Sequence, residues 1–426
     1  MDRFIIDGGM PLVGTIPIGG AKNAALAIMA GALLADEPCV IRNVPRLLDV
    51  KVMSDVLSSL GVAVNFPPTG NSLTIDASTL REHTCPYDLV TKMRASFFVL
   101  GPILARLGQA RIPLPGGCAI GSRPVDLHLK GLRSLGAKVT IEHGYAEATA
   151  DRLVGAPVYL DYPSVGATET IMMAACLAEG TTVIDNCAQE PEIVDLGEFL
   201  KKCGAKIEGA GTEQIIVHGR KRLHGCEHST IPDRIEAGTF MIAAAITKGD
   251  LRLTGVRPEF VASLISKLQE IGVNIVVEDL DVVRVSVEGP LTPADVRTMP
   301  FPGFPTDLQA QIMALLSVIP GTSVISETVF ENRFLHVDEL QRMGANIKTD
   351  GNVAVIQGVE ELTGAPVKAT DLRAGAALIL AGLAARGQTV ISDIHYIDRG
   401  YEQVERKLSN VGGKISRSGV AEPILT

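Results

Sequence analysis

Apolar and polar positions repeat along the whole chain with one spacing. In each copy an apolar residue, two mostly polar residues and a second apolar residue precede a glycine and a β-prone segment, as in Leu57-Ser-Ser-Leu-Gly61-Val-Ala-Val. Because a glycine in this place ends a helix, each copy predicts a helix end followed by a strand. The glycines lie 68 to 75 residues apart, and six near-equal units indicate an internal repeat. They are Gly61, Gly136, Gly204, Gly272, Gly344 and Gly412.

A second pattern keeps the same phase, since an alanine-rich apolar segment precedes a short β-prone one in every repeat. These stretches cover residues 24–41, 94–112, 167–184, 237–253, 307–325 and 373–391. Their helices lack a broad polar face, so we expect them to be buried. The pattern predicts an α/β protein with helices inside, sheets outside and two groups of three repeats. The polar segment 228–234 is the expected crossover between the groups.

Length, charge and cysteine usage limit the classes of function. A chain of 426 residues exceeds the usual size of one core, which favours two domains. The net charge of -9 argues against nucleic acid as a partner. The apolar runs 24–35 and 374–385 are too short to span a bilayer, and the start lacks the pattern of a signal peptide. Seven scattered cysteines without a C-x-x-C pair indicate a reducing compartment, so we expect a cytoplasmic protein.

Cations and carboxylates stand just before the first helix of several repeats. Helix N-termini favour anions, and equivalent positions of a pseudo-symmetric fold tend to lie on one ring. We therefore expect two facing groups of three helices to form a positive cleft. Asp307 and Asp371 stand where helix caps belong, so each is either a cap or, beside an anion site, a general base. The candidate cations are Lys22, Arg94, Arg123, Arg373 and Arg399. Of these, Arg94 and Arg373 could also be ordinary helix-flanking charges.

The segment 114–124 is rich in glycine and proline and carries Cys118 with Arg123 nearby. A thiol close to a cation ionises more readily, so the segment has the features of a lid with a reactive group. A surface loop with an incidental buried thiol is the alternative. His224-Gly-Cys226-Glu-His228 has the look of a metal site, but no second ligand pair stands nearby in sequence. We therefore expect no metal and no cofactor.

Leu114-Pro-Gly-Gly-Cys118 and the following Ile120-Gly-Ser-Arg-Pro-Val-Asp-Leu-His128 resemble the UDP-N-acetylglucosamine 1-carboxyvinyltransferases, also called UDP-GlcNAc enolpyruvyl transferases. Pro302-Gly-Phe-Pro-Thr-Asp307 and other segments extend the resemblance over essentially the full chain. It implies a two-domain inside-out α/β barrel with six repeats of about 70 residues, three per domain. Domain I is expected to span residues 22–231, and domain II residues 1–21 and 232–426.

The resemblance implies transfer of the enolpyruvyl group of phosphoenolpyruvate to the 3-hydroxyl of UDP-N-acetylglucosamine, by addition and elimination with release of phosphate. This is the first committed step of peptidoglycan synthesis, so roles in cell-wall biogenesis, cell shape and cell division follow. Cys118 would protonate the methylene carbon, form a covalent adduct with phosphoenolpyruvate and be labelled by the inhibitor fosfomycin. The expected partners are the two small substrates, with no nucleic acid and no membrane.

The resemblance also implies the site residues. The catalytic ones are Cys118, Asp307, Lys22 and Arg399. Those that bind phosphoenolpyruvate are Lys22, Asn23, Arg123, Arg373 and Arg399, with Asp371 in support. Those that bind the nucleotide sugar are Asn23, Arg94, Arg123, Pro124, Val125, Asp126, Leu127, Tyr162, Pro163, Ser164, Val165, Asp307 and Val329.

Two other functions are compatible with this fold. An enolpyruvyl transferase that acts on shikimate 3-phosphate shares the architecture, but the Cys118 loop and the segment 123–128 belong to the nucleotide-sugar branch. A non-catalytic repeat protein that binds a nucleotide sugar should have lost Cys118, Lys22 or Asp307, and the sequence keeps all three.

Overall fold

The computed structural model describes residues 2–91, 93–114 and 125–419, and of Arg94 the backbone alone. Its described residues form two compact units, which consist of residues 20–231 (the first unit) and of residues 2–19 with 232–419 (the second unit). The chain thus begins in the second unit, whose first strands are β1 (Arg3–Asp7) and β2 (Val13–Pro17).

The first unit contains three repeats. The first has α1 (Lys22–Gly31), β3 (Cys39–Arg42), α2 (Leu48–Ser59), β4 (Ala63–Asn65) and β5 (Leu73–Asp76). The second has α3 (Tyr87–Val90), α4 (Leu100–Leu107), β6 (Gln109–Pro113), α5 (Asp126–Ser134), β7 (Lys138–Glu142) and β8 (Tyr145–Thr149). The third has β9 (Pro157–Tyr159), α6 (Val165–Ala175), β10 (Thr181–Asp185), α7 (Pro191–Lys202), β11 (Lys206–Glu208), β12 (Gln214–His218) and β13 (Glu227–Ser229).

The second unit contains the other three repeats. The fourth has α8 (Arg234–Ile246), β14 (Asp250–Thr254), α9 (Ala262–Ile271), β15 (Asn274–Asp279), β16 (Val282–Ser286) and β17 (Val296–Arg297). The fifth has α10 (Gln309–Leu316), β18 (Thr322–Ser326), α11 (Val337–Arg342), β19 (Asn346–Asp350), β20 (Val353–Gln357) and β21 (Pro366–Lys368). The sixth has α12 (Leu372–Ala384), β22 (Gln388–Ser392), α13 (Val404–Ser409) and β23 (Lys414–Ser418). Short 3-10 helices cover Ala32–Leu34, Arg94–Val99, Pro258–Val261, Thr306–Leu308 and Ile394–Arg399.

Among the described residues each unit holds three small sheets, and most sheets take an edge strand from another repeat or from the N-terminal segment. The sheets of the first unit have the strand orders β13-β3-β5-β4, β6-β8-β7 and β11-β12-β10-β9. Those of the second unit have the orders β21-β22-β1-β23, β15-β16-β14-β2 and β17-β18-β20-β19. Antiparallel ladders dominate, and the four-stranded sheets each have one parallel neighbour at an edge, such as β2 beside β14, whereas β6-β8-β7 is antiparallel throughout. The six repeats, three to a unit, are therefore confirmed.

The alanine-rich helices form the inner layer of each unit. Helices α8, α10 and α12 contact one another, and nearly all of their residues are buried. In the first unit α4 contacts α6 and the turn that ends α1. The predicted burial of these helices is therefore confirmed. No helix in the described part of the chain has the length and apolarity needed to span a membrane.

The six repeat glycines share one backbone conformation. Each follows a helix with a φ between 87° and 104°, the left-handed region in which a side chain is strained. The next residues start or lead into a strand, such as β15 after Gly272. The glycine spacing thus marks the helix ends that the sequence predicts.

Candidate active site

Asp307 lies between two arginines of the second unit. Its Oδ1 accepts a hydrogen bond from Nη2 of Arg333 and its Oδ2 accepts one from Nη2 of Arg373, each at 2.9 Å. Both arginine side chains are buried, whereas 26% of the Asp307 side chain is exposed. Hydrogen bonds between ionised partners are roughly twice as strong as neutral ones, so the pairs hold the carboxylate in one orientation.

Glu327 fixes the backbone around Asp307. This buried carboxylate accepts hydrogen bonds from the hydroxyls of Thr306, at 2.9 Å, and Thr298, at 2.8 Å. It also accepts the backbone N–H of Val329 at 2.8 Å. Glu327 therefore links the 3-10 turn that carries Asp307 to the segment that carries Val329, another expected site residue.

Arg373 also belongs to a buried polar network. Its Nη1 donates to the hydroxyl of Tyr401 at 3.2 Å, and that hydroxyl lies 2.8 Å from Oγ1 of Thr239. Gln311 donates to the same hydroxyl at 3.2 Å and to the carbonyl of Asp307 at 2.9 Å. Burial lowers the pKa of the Arg373 guanidinium, but the charges of Asp307, Tyr401 and Asp233 and the hydrogen bond with Tyr401 together outweigh it, so the pKa ends above its usual value. Arg373 is therefore a permanent cation.

Asp371 is a helix cap, whereas Asp307 pairs with arginines. The Oδ1 of Asp371 accepts the backbone N–H groups of Arg373, at 2.8 Å, and Ala374, at 3.0 Å, at the start of α12. This satisfies two N–H groups that have no partner within a helix. Arg399, the other expected cation of this unit, is half-buried at the end of the 3-10 helix Ile394–Arg399.

His336 is buried behind this group. Burial lowers the pKa of its imidazole to about 4, which the charge of Asp371 opposes and the charge of Arg333 reinforces. The imidazole is therefore neutral at physiological pH. It forms a hydrogen bond with the backbone of Arg333, so it helps to position that arginine.

His336→Asn is expected to flatten the acid limb of the stability profile. In the wild type the unfolded chain binds a proton at His336 below pH 6.5 and the folded chain only below about pH 4, so stability is lost as the pH falls through this window. The loss amounts to roughly 3 kcal/mol. Urea unfolding between pH 7 and 4 measures it. An unchanged slope in the variant, with other histidines intact, would contradict the assignment.

Lys22 lies at the first turn of α1 in the first unit. Its Nζ is 3.2 Å from Oδ2 of the buried Asp49, which belongs to the first turn of α2. Only glycine fits at position 20, just before α1, because a β-carbon there would lie 1.7 Å from the carbonyl oxygen of Asn43. Asn23 follows Lys22 and is half-buried. The sequence thus brings an ammonium and an amide to one helix start.

Most of the expected sugar-binding residues that the structure describes lie at the starts of α5 and α6 in the first unit. Asn23 lies in α1, and Asp307 and Val329 belong to the second unit. Val125, Asp126 and Leu127 begin α5. Tyr162 is exposed, and Ser164 caps α6 by accepting the backbone N–H of Ala167 at 3.3 Å. Pro163 and Val165 are half-buried beside them.

Three carboxylates converge on α6 and α7. Glu169 is fully buried, and burial together with the charges of Glu192 and Glu190 raises its pKa well above the usual value. This environment favours the protonated form of Glu169, which can donate a hydrogen bond. Glu169 could have been found from the sequence, because a carboxylate in the middle of an apolar alanine-rich helix is unusual. The sequence interpretation did not assign it a role.

Several expected residues lie outside the described part of the chain. These are Cys118, Arg123, Pro124 and the side chain of Arg94. Within the second unit the structure brings Asp307, Arg373 and Asp371 together. Arg333 and Tyr401 complete that group, and the sequence interpretation did not assign them a role. The sequence offered one indication of their importance. Both lie in segments that extend the family resemblance, Glu331-Asn-Arg-Phe334 and His395-Tyr-Ile-Asp-Arg-Gly-Tyr401.

The chain is similar to known enzymes over nearly its full length. The profile of the family described as EPSP synthase (3-phosphoshikimate 1-carboxyvinyltransferase) matches residues 6–408. A UDP-N-acetylglucosamine 1-carboxyvinyltransferase from Gloeobacter violaceus is 58% identical, over 97% of this chain and 90% of that protein. One from Carboxydothermus hydrogenoformans is 56% identical, over 98% and 99%. The chain belongs to the UDP-N-acetylglucosamine 1-carboxyvinyltransferase family.

Solved structures agree with this family. The enolpyruvyl transferase NikO from Streptomyces tendae has a TM-score of 0.88 at 28% identity, over 99% of both chains. The EPSP synthase from Acinetobacter baumannii has a TM-score of 0.75 at 19% identity, over 98% of this chain and 100% of that one, which shows the shared fold. The resemblance predicted from the sequence is thus confirmed. For a member of the carboxyvinyltransferase family, two groups of this structure bear on function. One is Asp307 with its two arginine partners, and the other is Lys22 in the first turn of α1.

Proposed function

We propose that this chain transfers the enolpyruvyl group of phosphoenolpyruvate to the 3-hydroxyl of UDP-N-acetylglucosamine. The observation that carries the proposal is the carboxylate of Asp307, which is partly exposed and oriented by two buried guanidinium groups. A carboxylate offers about four lone-pair positions, and 26% of this side chain is exposed, so a substrate hydroxyl can reach it and donate to it. The membership of the chain in the carboxyvinyltransferase family supports the choice of substrates.

The reaction is an addition followed by an elimination. The oxygen of the sugar hydroxyl bonds to C2 of phosphoenolpyruvate, and Asp307 accepts the proton that this hydroxyl loses. The thiol of Cys118 donates a proton to the methylene carbon C3. The tetrahedral product then loses phosphate from C2 and a proton from C3, which restores the double bond in the enolpyruvyl ether. Each such proton transfer contributes about 10²–10⁴-fold in rate.

Cations hold the charged donor in this proposal. Phosphoenolpyruvate carries a phosphate and a carboxylate, and Lys22, Arg123, Arg373 and Arg399 bind these groups. At an intermediate dielectric each close pair of charges is worth about 4 kcal/mol before desolvation. Arg373 suits this role because its pKa is raised, so it stays charged at every working pH. Asn23 assists it, and Asp371 supports it by fixing the start of α12.

The nucleotide sugar is bound by helix starts. The N-terminus of α6, with Tyr162, Pro163, Ser164 and Val165, and the N-terminus of α5, with Val125, Asp126 and Leu127, belong to this set. Unpaired N–H groups at a helix start bind anionic oxygens such as those of a diphosphate. Asn23, Arg94, Arg123, Pro124, Asp307 and Val329 complete the proposed set.

Phosphate release tests the proposal. The purified chain is expected to release phosphate when phosphoenolpyruvate and UDP-N-acetylglucosamine are both present, and to release none with either substrate alone. A coupled colorimetric assay measures it, and mass spectrometry of the sugar product detects the added enolpyruvyl group. Release with shikimate 3-phosphate in place of the nucleotide sugar would overturn the choice of acceptor. Tight binding of the nucleotide sugar without any turnover would favour a non-catalytic binding protein.

The proposed activity has a cellular setting. As the first committed step of peptidoglycan synthesis it would serve cell-wall biogenesis, cell shape and cell division. Both substrates are small metabolites, which agrees with a cytoplasmic location, and the chemistry requires neither nucleic acid nor a membrane. Fosfomycin would inhibit the protein by alkylating Cys118.

A further inference from the structure

Three thiols from distant parts of the sequence meet in the first unit. Cys39 begins β3, Cys203 follows the last residue of α7 and Cys226 precedes β13. Their sulfur atoms all lie within 4.8 Å of one another, and those of Cys203 and Cys226 are 3.3 Å apart. This cluster is separate from every residue that the proposed transfer uses.

The spacing of the sulfur atoms matches thiolate coordination of zinc. A Zn–S bond measures about 2.3 Å, so two sulfur ligands of a tetrahedral ion lie about 3.8 Å apart. The observed separations of 3.3 Å for one pair and at most 4.8 Å for all three bracket this value. Small rotations about the Cα–Cβ bonds therefore suffice to bring the three sulfurs to one ion.

Backbone hydrogen bonds hold the three cysteines in place. Strand β13 pairs with β3 in parallel, and the N–H of Val40 donates to the carbonyl of Cys226 at 2.9 Å. The N–H of His224 donates to the carbonyl of Cys203 at 3.0 Å. Ligands on a rigid sheet and a helix end are already close together, which lowers the entropic cost of forming a site.

His224 is a neighbour of Cys203 through its backbone, but its ring is not among the ligand atoms that all lie within 4.8 Å of one another. Its Nδ1 lies 2.9 Å from the carbonyl oxygen of Gly225 and must donate to it, which leaves Nε2 as the unprotonated nitrogen of a neutral ring. Nε2 lies beside Gly204, the residue after Cys203, only 3.2 Å from where a β-carbon would be. His224 is exposed and Cys226 is half-buried, so an ion can reach the cluster from solvent.

We propose that Cys39, Cys203 and Cys226 bind a Zn²⁺ ion as thiolates. Each thiol gives its proton to solvent as its sulfur bonds to the ion, and no change of oxidation state is involved. Cysteine thiolates are the ligands that zinc prefers in structural sites. The ion would connect β3 of the first repeat to α7 and β13 of the third repeat. Zinc binding is therefore expected to stabilise the packing of the first repeat against the third.

Single buried thiols behave as small apolar side chains, which is the simpler explanation for any one of them. Cys85 and Cys176 fit that explanation, because each is fully buried and burial alone raises its pKa to about 12. They make suitable controls for the cluster. The sequence predicts no zinc near His224 when only ligands close by in the chain are considered. Cys39 and Cys203 are distant from Cys226 in sequence and meet it only in the folded protein. His228, the other histidine of that motif, pairs instead with Asp195 at 2.8 Å.

Zinc binding to the full-length chain tests the proposal. Because Cys118 is a further thiol, the parent protein carries Cys118→Ser, and Cys226→Ala and Cys203→Ala are compared with the controls Cys85→Ala and Cys176→Ala. Reduced protein is loaded with Zn²⁺, dialysed and analysed for bound metal, and affinity is measured by competition with a chromophoric chelator. Co²⁺ replaces Zn²⁺ in a second experiment, because thiolate ligation gives a charge-transfer band and tetrahedral ligand-field bands.

We expect one tightly bound zinc per chain in the parent and in both controls. Cys226→Ala and Cys203→Ala are expected to weaken binding by more than the roughly 10–100-fold that the loss of an outer hydrogen-bond partner costs. Zinc should raise the Tm of Cys85→Ala and leave that of Cys226→Ala unchanged. Equal zinc content and affinity in the parent and in folded Cys226→Ala would overturn the proposal. A reduced parent that binds no zinc and gives no Co²⁺ thiolate band would also overturn it.

Discussion

Replacement of Asp307 by asparagine is expected to abolish most of the transfer activity while the nucleotide sugar still binds. The amide keeps the shape of the side chain, but it cannot take the proton of the sugar hydroxyl, so kcat should fall by about 10²–10⁴-fold. Asn also offers only one acceptor oxygen to Arg333 and Arg373, which now share it. Steady-state phosphate release measures kcat, and calorimetric titration with UDP-N-acetylglucosamine measures binding.

The matched control for this substitution is Asp250→Asn. Asp250 also accepts hydrogen bonds from an arginine, Arg284, but this pair is more exposed, with 37% of the Asp250 side chain and 52% of the Arg284 side chain open to solvent. Turnover of this control should equal that of the wild type. If Asp307→Asn keeps near-normal kcat, the proton of the hydroxyl goes elsewhere, and the carboxylate of Asp307 serves only to position Arg333 and Arg373.

Substitution of Cys118 by serine is expected to remove both turnover and covalent labelling. A hydroxyl is a much weaker acid than a thiol, so protonation of the methylene carbon should slow by about 10²–10⁴-fold. Fosfomycin should add its mass to the wild-type chain, as measured by intact-protein mass spectrometry, and should leave the variant unmodified. Incubation with phosphoenolpyruvate should likewise give an adduct in the wild type alone.

Cys187→Ser provides the control for Cys118→Ser. Cys187 is buried and burial raises its pKa to about 12, so its thiol is a poor nucleophile and fosfomycin should not modify it. The control should keep the mass shift of the wild type. A wild-type rate in Cys118→Ser would contradict the assignment of Cys118 as the acid, and a mass shift in that variant would place the reactive thiol elsewhere.

The repeat architecture was open to prediction because one local signal recurs six times. A glycine such as Gly136 or Gly412 is tied to the left-handed backbone that ends a helix, and that constraint acts within a few residues. The buried helices could be predicted equally well, since α12 after Arg373 is apolar on every face. Both inferences depend on neighbours in sequence, and both are confirmed.

The partners of individual side chains were harder to predict because they depend on distant segments. Asp307 and Asp371 both read as helix caps or bases, yet the structure makes Asp371 a cap and gives Asp307 two guanidinium partners. Arg333 comes from the segment before α11, and Tyr401 from the end of the chain, so no local pattern links them to Asp307. Only the three-dimensional packing of the repeats brings these residues together.

The place of β1 in the second unit has a consequence for biosynthesis. This strand is made long before β22 and β23, between which it lies. Residues 20–231 can mature during translation as soon as they have left the ribosome, whereas β1 has to wait for β22 and β23 before its ladder can form. A nascent chain stalled before β22 should thus carry a folded first unit and an N-terminal strand still open to proteases.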